Sequence, residues 1–152
     1  MSKRLLFIVT SLSVFLADRL TKVLAYQNLK HPIDLVPGIL SLRIAENRGA
    51  AFSIFSTGND VLRKVFLILI PVLICLYIVY YVFKKSVEPK TAVSLGLILG
   101  GALGNLYDRL VNGKVIDFID LHFKIYHYPT FNVADVAVFL GTLILITTWR
   151  KS

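Results

Sequence analysis

Hydrophobic positions in this chain are gathered into four long blocks separated by polar stretches. A helix needs about 20 residues to cross a hydrocarbon core roughly 30 Å thick. Four segments reach that length, at about residues 5–26, 65–83, 91–110 and 131–149 of the 152. The first is apolar as far as Ala17, then carries Asp18, Arg19 and Lys22. The second holds no charge, and Pro71 within it predicts a kink, because proline removes a helical N–H and crowds the preceding turn. The third is rich in glycine and ends in Asn105, Asp108 and Arg109. The fourth contains one acid, Asp135, near its start.

The stretches between blocks have patterns of their own. Leu40, Leu42 and Ile44 alternate with Ser41, Arg43 and Ala45, the period-2 pattern of a strand. Pro37-Gly38 marks a turn just before it. Ile33 with Leu35, and residues 115–119, are weaker strand candidates. Residues 49–55 are too short to span and too apolar for a free loop, which predicts a short interfacial helix. The expected fold is membrane all-α: four transmembrane helices, a small extracytoplasmic β-containing subdomain and that interfacial helix. Residues 1–152 then form a single integral membrane domain.

Composition agrees. The chain is 56% hydrophobic and 17% charged, with mean hydropathy +0.71, which is too apolar for a soluble core and excludes a disordered chain. The single cysteine, Cys75, leaves no intramolecular disulfide and no Cys-based zinc site. A net charge of +8 would suggest nucleic acid in a soluble protein. Here the basic residues flank apolar blocks, so membrane orientation explains them and no nucleic-acid partner is expected. Lys3-Arg4 before an apolar stretch fits the start of a signal peptide, but Phe15 is bulky at −3 from Ala17, and Leu16 and Asp18 flank that alanine poorly for cleavage.

Four spans put both termini on one side. Lys3, Arg4, Lys84, Lys85, Lys90, Arg150 and Lys151 lie there, in short flanks and one tight loop. An equal number, Lys30, Arg43, Arg48, Arg63, Lys64, Lys114 and Lys124, are diluted over two longer loops, about 27–64 and 111–130. Short loops weigh most in the orientation rule, so both termini are expected in the cytoplasm and the longer loops outside.

Charges within spans are costly and are functional hypotheses by default. Asp18 and Lys22, then Asn105, Asp108 and Arg109, then Asn132 and Asp135 all lie at the outer ends of their spans. Each set repeats at three or four residues and so shares a helix face. Asp18–Lys22 reads first as a structural ion pair, and the Asn105–Asp108–Arg109 set as pairing that caps a helix end. Asp135 is different, because no basic residue lies one turn away on its own segment. An ionised, unpaired carboxylate there would cost several kcal/mol.

Other chemistries find little support. No GxSxG or HExxH occurs. His31, His122 and His127 are expected in loops, and the spacing of the last two is poor for metal on a helix. A pair of carboxyl groups sharing one proton remains, one acting as base on water and the other as acid toward a carbonyl. Asp135 needs a partner, and Asp117 and Asp120 both follow the third block closely. On an extended segment they face opposite ways, so one only would point at Asp135, and spacing does not choose between them.

The ordered motifs resemble lipoprotein signal peptidase, the signal peptidase II family of bacterial membrane aspartyl peptidases. They are Ala17-Asp18-Arg19-Leu20-Thr21-Lys22; Asn47-Arg48-Gly49-Ala50-Ala51-Phe52; the stretch from Gly100-Gly101 to Asn105-Leu106-Tyr107-Asp108-Arg109; Val115-Ile116-Asp117-Phe118; and Phe131-Asn132-Val133-Ala134-Asp135. Gln is also common in the family where Arg19 stands. The resemblance implies that Asp117 and Asp135 are the catalytic dyad and Asp120 is not. It implies that Asp18, Lys22, Asn47, Gly49, Asn105, Asp108, Arg109 and Asn132 line or brace the site. It further implies prolipoprotein substrates cut before a diacylglyceryl-modified Cys, contact with membrane lipid, inhibition by the cyclic peptide globomycin, no metal or other cofactor, and a monomer in the bacterial cytoplasmic membrane. The competing expectation is a small four-helix ion or proton carrier subunit, which predicts charges staggered through the membrane.

Overall fold

The computed structural model describes residues 1–48 and 58–150. The expected interfacial stretch 49–55, with Gly49, lies outside the described residues. Four helices coincide with the four apolar blocks: α1 (Lys3–Asn28), α2 (Asp60–Lys84), α3 (Pro89–Asn112) and α4 (Val133–Trp149). Their ends follow local chemistry. The Ser2 hydroxyl accepts from Leu5 N at α1, and Asn59 accepts from Val61 N at α2. Pro89 opens α3 and Gly113, at φ 70°, closes it in the left-handed conformation. The distortion expected from Pro71 takes the form of a π-helical stretch, Val65–Leu69, immediately before it.

Among the described residues, α2 is by length and composition the one helix long and apolar enough to cross a membrane, and α4 is a shorter apolar helix. All four helices leave large apolar side chains bare, among them Leu16, Leu20, Leu73, Leu76, Leu110 and Phe139, each more than half exposed. A water-soluble surface would not carry so much.

Helix α3 is central. It packs against α1 on one side and α4 on the other, and glycines set the distance. A Cβ at Gly100 would lie 2.6 Å from the Ser11 carbonyl, and one at Gly101 would lie 2.5 Å from that of Ala134. Small residues let helix backbones approach this closely where lipid supplies no hydrophobic drive. Ser94 Oγ adds a 2.6 Å hydrogen bond to the Gly141 carbonyl of α4. Phe7, Cys75, Ile78, Val82, Leu95 and Leu99 form the apolar core where α1, α2 and α3 meet. Cys75 is packing.

An antiparallel sheet stands at the polar end, in the order β1 (Ile33–Val36), β2 (Leu40–Asn47), β3 (Val115–Phe123) and β4 (Tyr126–His127). The Pro37-Gly38 turn, with Gly38 at φ 77°, joins β1 to β2. Asp117 sits opposite Ala45, and Asp120 opposite Ser41. The expected β2 strand forms, with Ser41 its buried residue, held by Asp34 and His122, and Leu40, Leu42 and Ile44 half-buried. One expectation needs correction. His122 and His127 lie on paired strands rather than in loops, directly opposite each other with rings stacked at 4.8 Å. The hairpin turn through Lys124, at φ 55°, makes neighbours of residues that a helix would separate.

Candidate active site

The site begins with a backbone bridge. Phe131 N donates to the Ile119 carbonyl at 3.1 Å, and Phe118 N and Ile119 N both donate to the Phe131 carbonyl. This fastens the start of α4 onto β3. The next residue, Asn132, is fully buried and caps α4. Its Oδ1 accepts from Asp135 N at 2.9 Å, and its own N donates to Asp135 Oδ2 at 3.2 Å, a reciprocal capping box. Its Nδ2 donates to Asp117 Oδ1 at 2.8 Å, and also faces Asn105 Oδ1 at 3.0 Å and the Ile116 carbonyl at 3.3 Å. Two amide hydrogens thus serve three acceptors. Asn105 Nδ2 completes the arrangement by donating to Asp135 Oδ1 at 2.9 Å. Asp117 and Asp135 therefore hang on two sides of one asparagine, and both line a cavity of about 450 Å³.

Asp117 is 2% exposed. Burial pushes its pKa up to about 7, and the neighbouring Asp135 charge pushes the same way against the pull of Lys22 and the Asn47 and Asn132 hydrogen bonds. Asp120 points to the other face of the strand, as period-2 geometry requires. It takes hydrogen bonds from Arg43 Nε and His127 Nδ1, each at 2.9 Å. Its burial works to raise the pKa, but those two partners outweigh it and hold the carboxyl below the usual range.

Behind Asp117 and Asp135 lies a buried charged network. Lys22 is 1% exposed, with Nζ 2.7 Å from Asp18 Oδ2, 2.9 Å from Asp108 Oδ2 and 3.1 Å from Asn105 Oδ1. Nζ donates to Asn105 Oδ1 and is ion-paired with both carboxylates. The contact with Asp18 is an ion pair whose geometry falls short of a hydrogen bond. Asp18 Oδ1 accepts from Ala134 N at 3.0 Å, an otherwise orphaned donor in the first turn of α4. A Cβ at Gly104 would collide with Asp18 Oδ2, so any larger residue there has to displace that carboxylate. Asp108 Oδ2 also accepts from Ile116 N at 3.2 Å, which ties α3 to the strand residue before Asp117.

The structure thus joins Asp18, Lys22, Asn105, Asp108, Asn132, Asp117 and Asp135 in one connected set. Asn47 and Arg109 line the cavity, and Arg109 experiences the charges of Asp135 and Asp117. Asp108 does not simply cap its own helix, since it reaches across to Arg19 and Lys22 of α1. Arg19 was not singled out from the sequence as a site residue, yet it pairs with Asp108 and lies 4.3 Å over the Tyr107 ring. Its i, i+3 relation to Lys22 was the available clue. The Phe131 bridge had no side-chain signature, because its contacts are made by backbone atoms.

Two solved structures share this architecture, each described as a bacterial membrane enzyme structure obtained by the in meso method. The one at 2.3 Å resolution matches with TM-score 0.82 and 29% identity, over 95% of this chain and 87% of that one. The one at 1.9 Å matches with TM-score 0.79 and 28% identity, over 96% and 93%. The fold is that of a membrane enzyme. Among sequences, the family model for signal peptidase (SPase) II matches residues 10–150. The lipoprotein signal peptidase of Clostridium novyi (strain NT) is 42% identical over 84% of this chain and 86% of that protein. That of Sulfurihydrogenibium sp. (strain YO3AOP1) is 35% identical over 99% and 97%. That of Aquifex aeolicus (strain VF5) is 42% identical over 93% and 83%. The chain belongs to the signal peptidase II family: it is a membrane peptidase, a hydrolase that releases signal peptides from prolipoproteins. A carrier subunit is not favoured.

Proposed function

We propose that this peptidase works as an aspartyl endopeptidase with Asp117 and Asp135 as its dyad, cutting before a diacylglyceryl-modified Cys. The observation that carries the reading is Asn132, which donates to Asp117 Oδ1 while its N and Oδ1 hold Asp135. Each acid takes two donors, Asn105 Nδ2 and Asn132 N on Asp135 and the Asn132 and Asn47 side chains on Asp117, and Asp135 serves as the base. Asp117, with its pKa near 7, keeps the shared proton and serves as the acid. Asp135 takes a proton from water as the water oxygen attacks the scissile carbonyl carbon, and Asp117 gives its proton to the carbonyl oxygen. Collapse of the resulting gem-diol then breaks the C–N bond as a proton passes to the leaving nitrogen. Asn47 and Arg109, which line the cavity, belong to the substrate side of this site.

In this reading all four helices are spans, residues 1–152 are one domain, and both termini are cytoplasmic. The dyad then lies toward the outer leaflet, where the substrate's acyl chains hold the scissile bond at its depth. The enzyme acts as a monomer, and globomycin competes at the same cavity. A water-activating acid pair needs neither metal nor cofactor, so EDTA leaves the rate unchanged. The deciding experiment incubates purified protein with lipidated and unlipidated forms of one prolipoprotein. Asp117→Asn and Asp135→Asn each abolish signal-peptide release from the lipidated form, and the unlipidated form is a poor substrate. Near-normal turnover by either variant refutes the dyad, and equal kcat/KM for the two substrates refutes the lipid requirement.

A further inference from the structure

Across the Lys22–Asn105 contact from the catalytic cavity lies a second cavity of about 490 Å³. The last turns of α1 and the α3–β3 junction wall it. Its lining carries three cations, Arg19, Lys22 and Lys114, and, among the described residues, no acid. Lys22 is fully committed to Asp18, Asp108 and Asn105. Arg19 binds Asp108 through Nη1, and Lys114 meets Glu46 at 2.7 Å. A guanidinium has five N–H donors and an ammonium three, so both retain donors for an incoming anion. The Tyr26 hydroxyl and the Gln27 and Asn112 amides add further donors to the same lining.

This collection of donors sits beside bare apolar surface. Leu16 and Leu20 on α1, and Leu110 and Val111 on α3, are each 60% exposed or more. The Tyr107 ring, with Arg19 over its face, links the cationic lining to that surface. A free phosphate would use the cationic end alone, whereas a phospholipid uses both. Arginine suits the role, since its planar fork matches phosphate oxygens and stays charged in a poorly hydrated setting.

We propose that this second cavity binds the headgroup phosphate of an anionic phospholipid, through Arg19 and Lys114, with its acyl chains lying on the apolar flanks of α1 and α3. The bound lipid bears on the catalytic strand, because Arg19 shares Asp108 with Ile116 N, next to Asp117.

Native mass spectrometry of the detergent-purified protein tests this, with Tm recorded in parallel. Separate arms contain phosphatidylglycerol, phosphatidylcholine or inorganic phosphate at equal concentration. The expected result is retention of one phosphatidylglycerol with a rise in Tm, about 10-fold weaker retention of phosphatidylcholine, and no rise with phosphate. Arg19→Gln and Lys114→Gln should each weaken phosphatidylglycerol retention about 10-fold. Arg150→Gln, at the other end of the bundle, should leave it unchanged. Lys114 is partly exposed, so its variant folds and reads the site even where Arg19→Gln does not. Equal retention of the two lipids, or wild-type retention by Lys114→Gln, overturns the proposal. A Tm rise with inorganic phosphate alone also overturns it, because the site then takes a free anion.

Discussion

Asp117 and Asp120 stand three residues apart on β3, are equally buried at 2% exposure, and end in opposite electrostatic states. Asp120 is met by a guanidinium and an imidazole and stays below the usual carboxylate range. Asp117 is met by the neutral Asn132 amide and by the charge of Asp135, and rises to about 7. Burial pushes both pKa values up, and the partners decide the net direction. An amide holds a carboxyl in place without neutralising it, and a second acid nearby makes the pair share a proton. A cation satisfies the charge and removes it from the chemistry.

The comparison breaks most visibly by deleting each acid in turn. Asp117→Asn and Asp135→Asn should each lower kcat/KM by at least about 10³-fold, the scale of a lost acid or base. Asp120→Asn should stay within about 3-fold of wild type, a difference far below one catalytic group. Comparable losses for Asp117→Asn and Asp120→Asn would make the contrast meaningless.

Removing the shared holder comes next. Asn132→Ala takes the donor from Asp117 and the cap from Asp135 at once. Each lost contact is worth on the order of 1 kcal/mol, so kcat/KM should fall by roughly 10- to 100-fold while both acids remain. Wild-type turnover would show that Asn132 does not position the dyad.

Titration sharpens the contrast further. Folded Asp117 keeps its proton up to about 7, whereas the unfolded chain releases it near the ordinary value of 3.8. Stability should therefore fall as pH rises across that window and level off above it. Asp117→Asn lacks the titrating group, so its Tm should gain on wild type between pH about 4 and 7. A gain of about 1 kcal/mol corresponds to roughly 2–4 °C for a chain of this size. Wild-type activity should fall as pH climbs through about 7, when the pair loses its second proton. A Tm difference that does not vary with pH contradicts the raised value.

The smallest effect should come from the neutralising partner. The Arg43 side chain is 41% exposed while Asp120 is buried. Arg43→Gln should lower Tm by roughly 2–4 °C, about 1 kcal/mol, and leave kcat/KM within about 3-fold of wild type. A large loss of activity with an unchanged Tm would move Asp120 into the chemistry.

Much of this was legible in the chain alone. The four apolar blocks became the four helices, because hydrophobic length and terminal capping residues are local properties. The β2 alternation and the Pro37-Gly38 turn likewise depend on adjacent residues. Periodicity also put Asp18 with Lys22, and Asn132 with Asp135, on shared faces. It could not say that Lys22 would meet Asp108 and Asn105 of α3, since that depends on how closely Gly100 and Gly104 let α1 approach. Nor could spacing choose between Asp117 and Asp120. Tertiary structure brings Asp117 to Asp135 through the bridge between Ile119 and Phe131 and the side chain of Asn132. Those contacts join segments whose relative placement is set by packing, and no repeat along the chain records it. Local pattern determined which elements form and where polar groups lie along them, because helix and strand periods are short-range. Which carboxyl meets a guanidinium and an imidazole, and which meets an amide, was decided only when distant segments met.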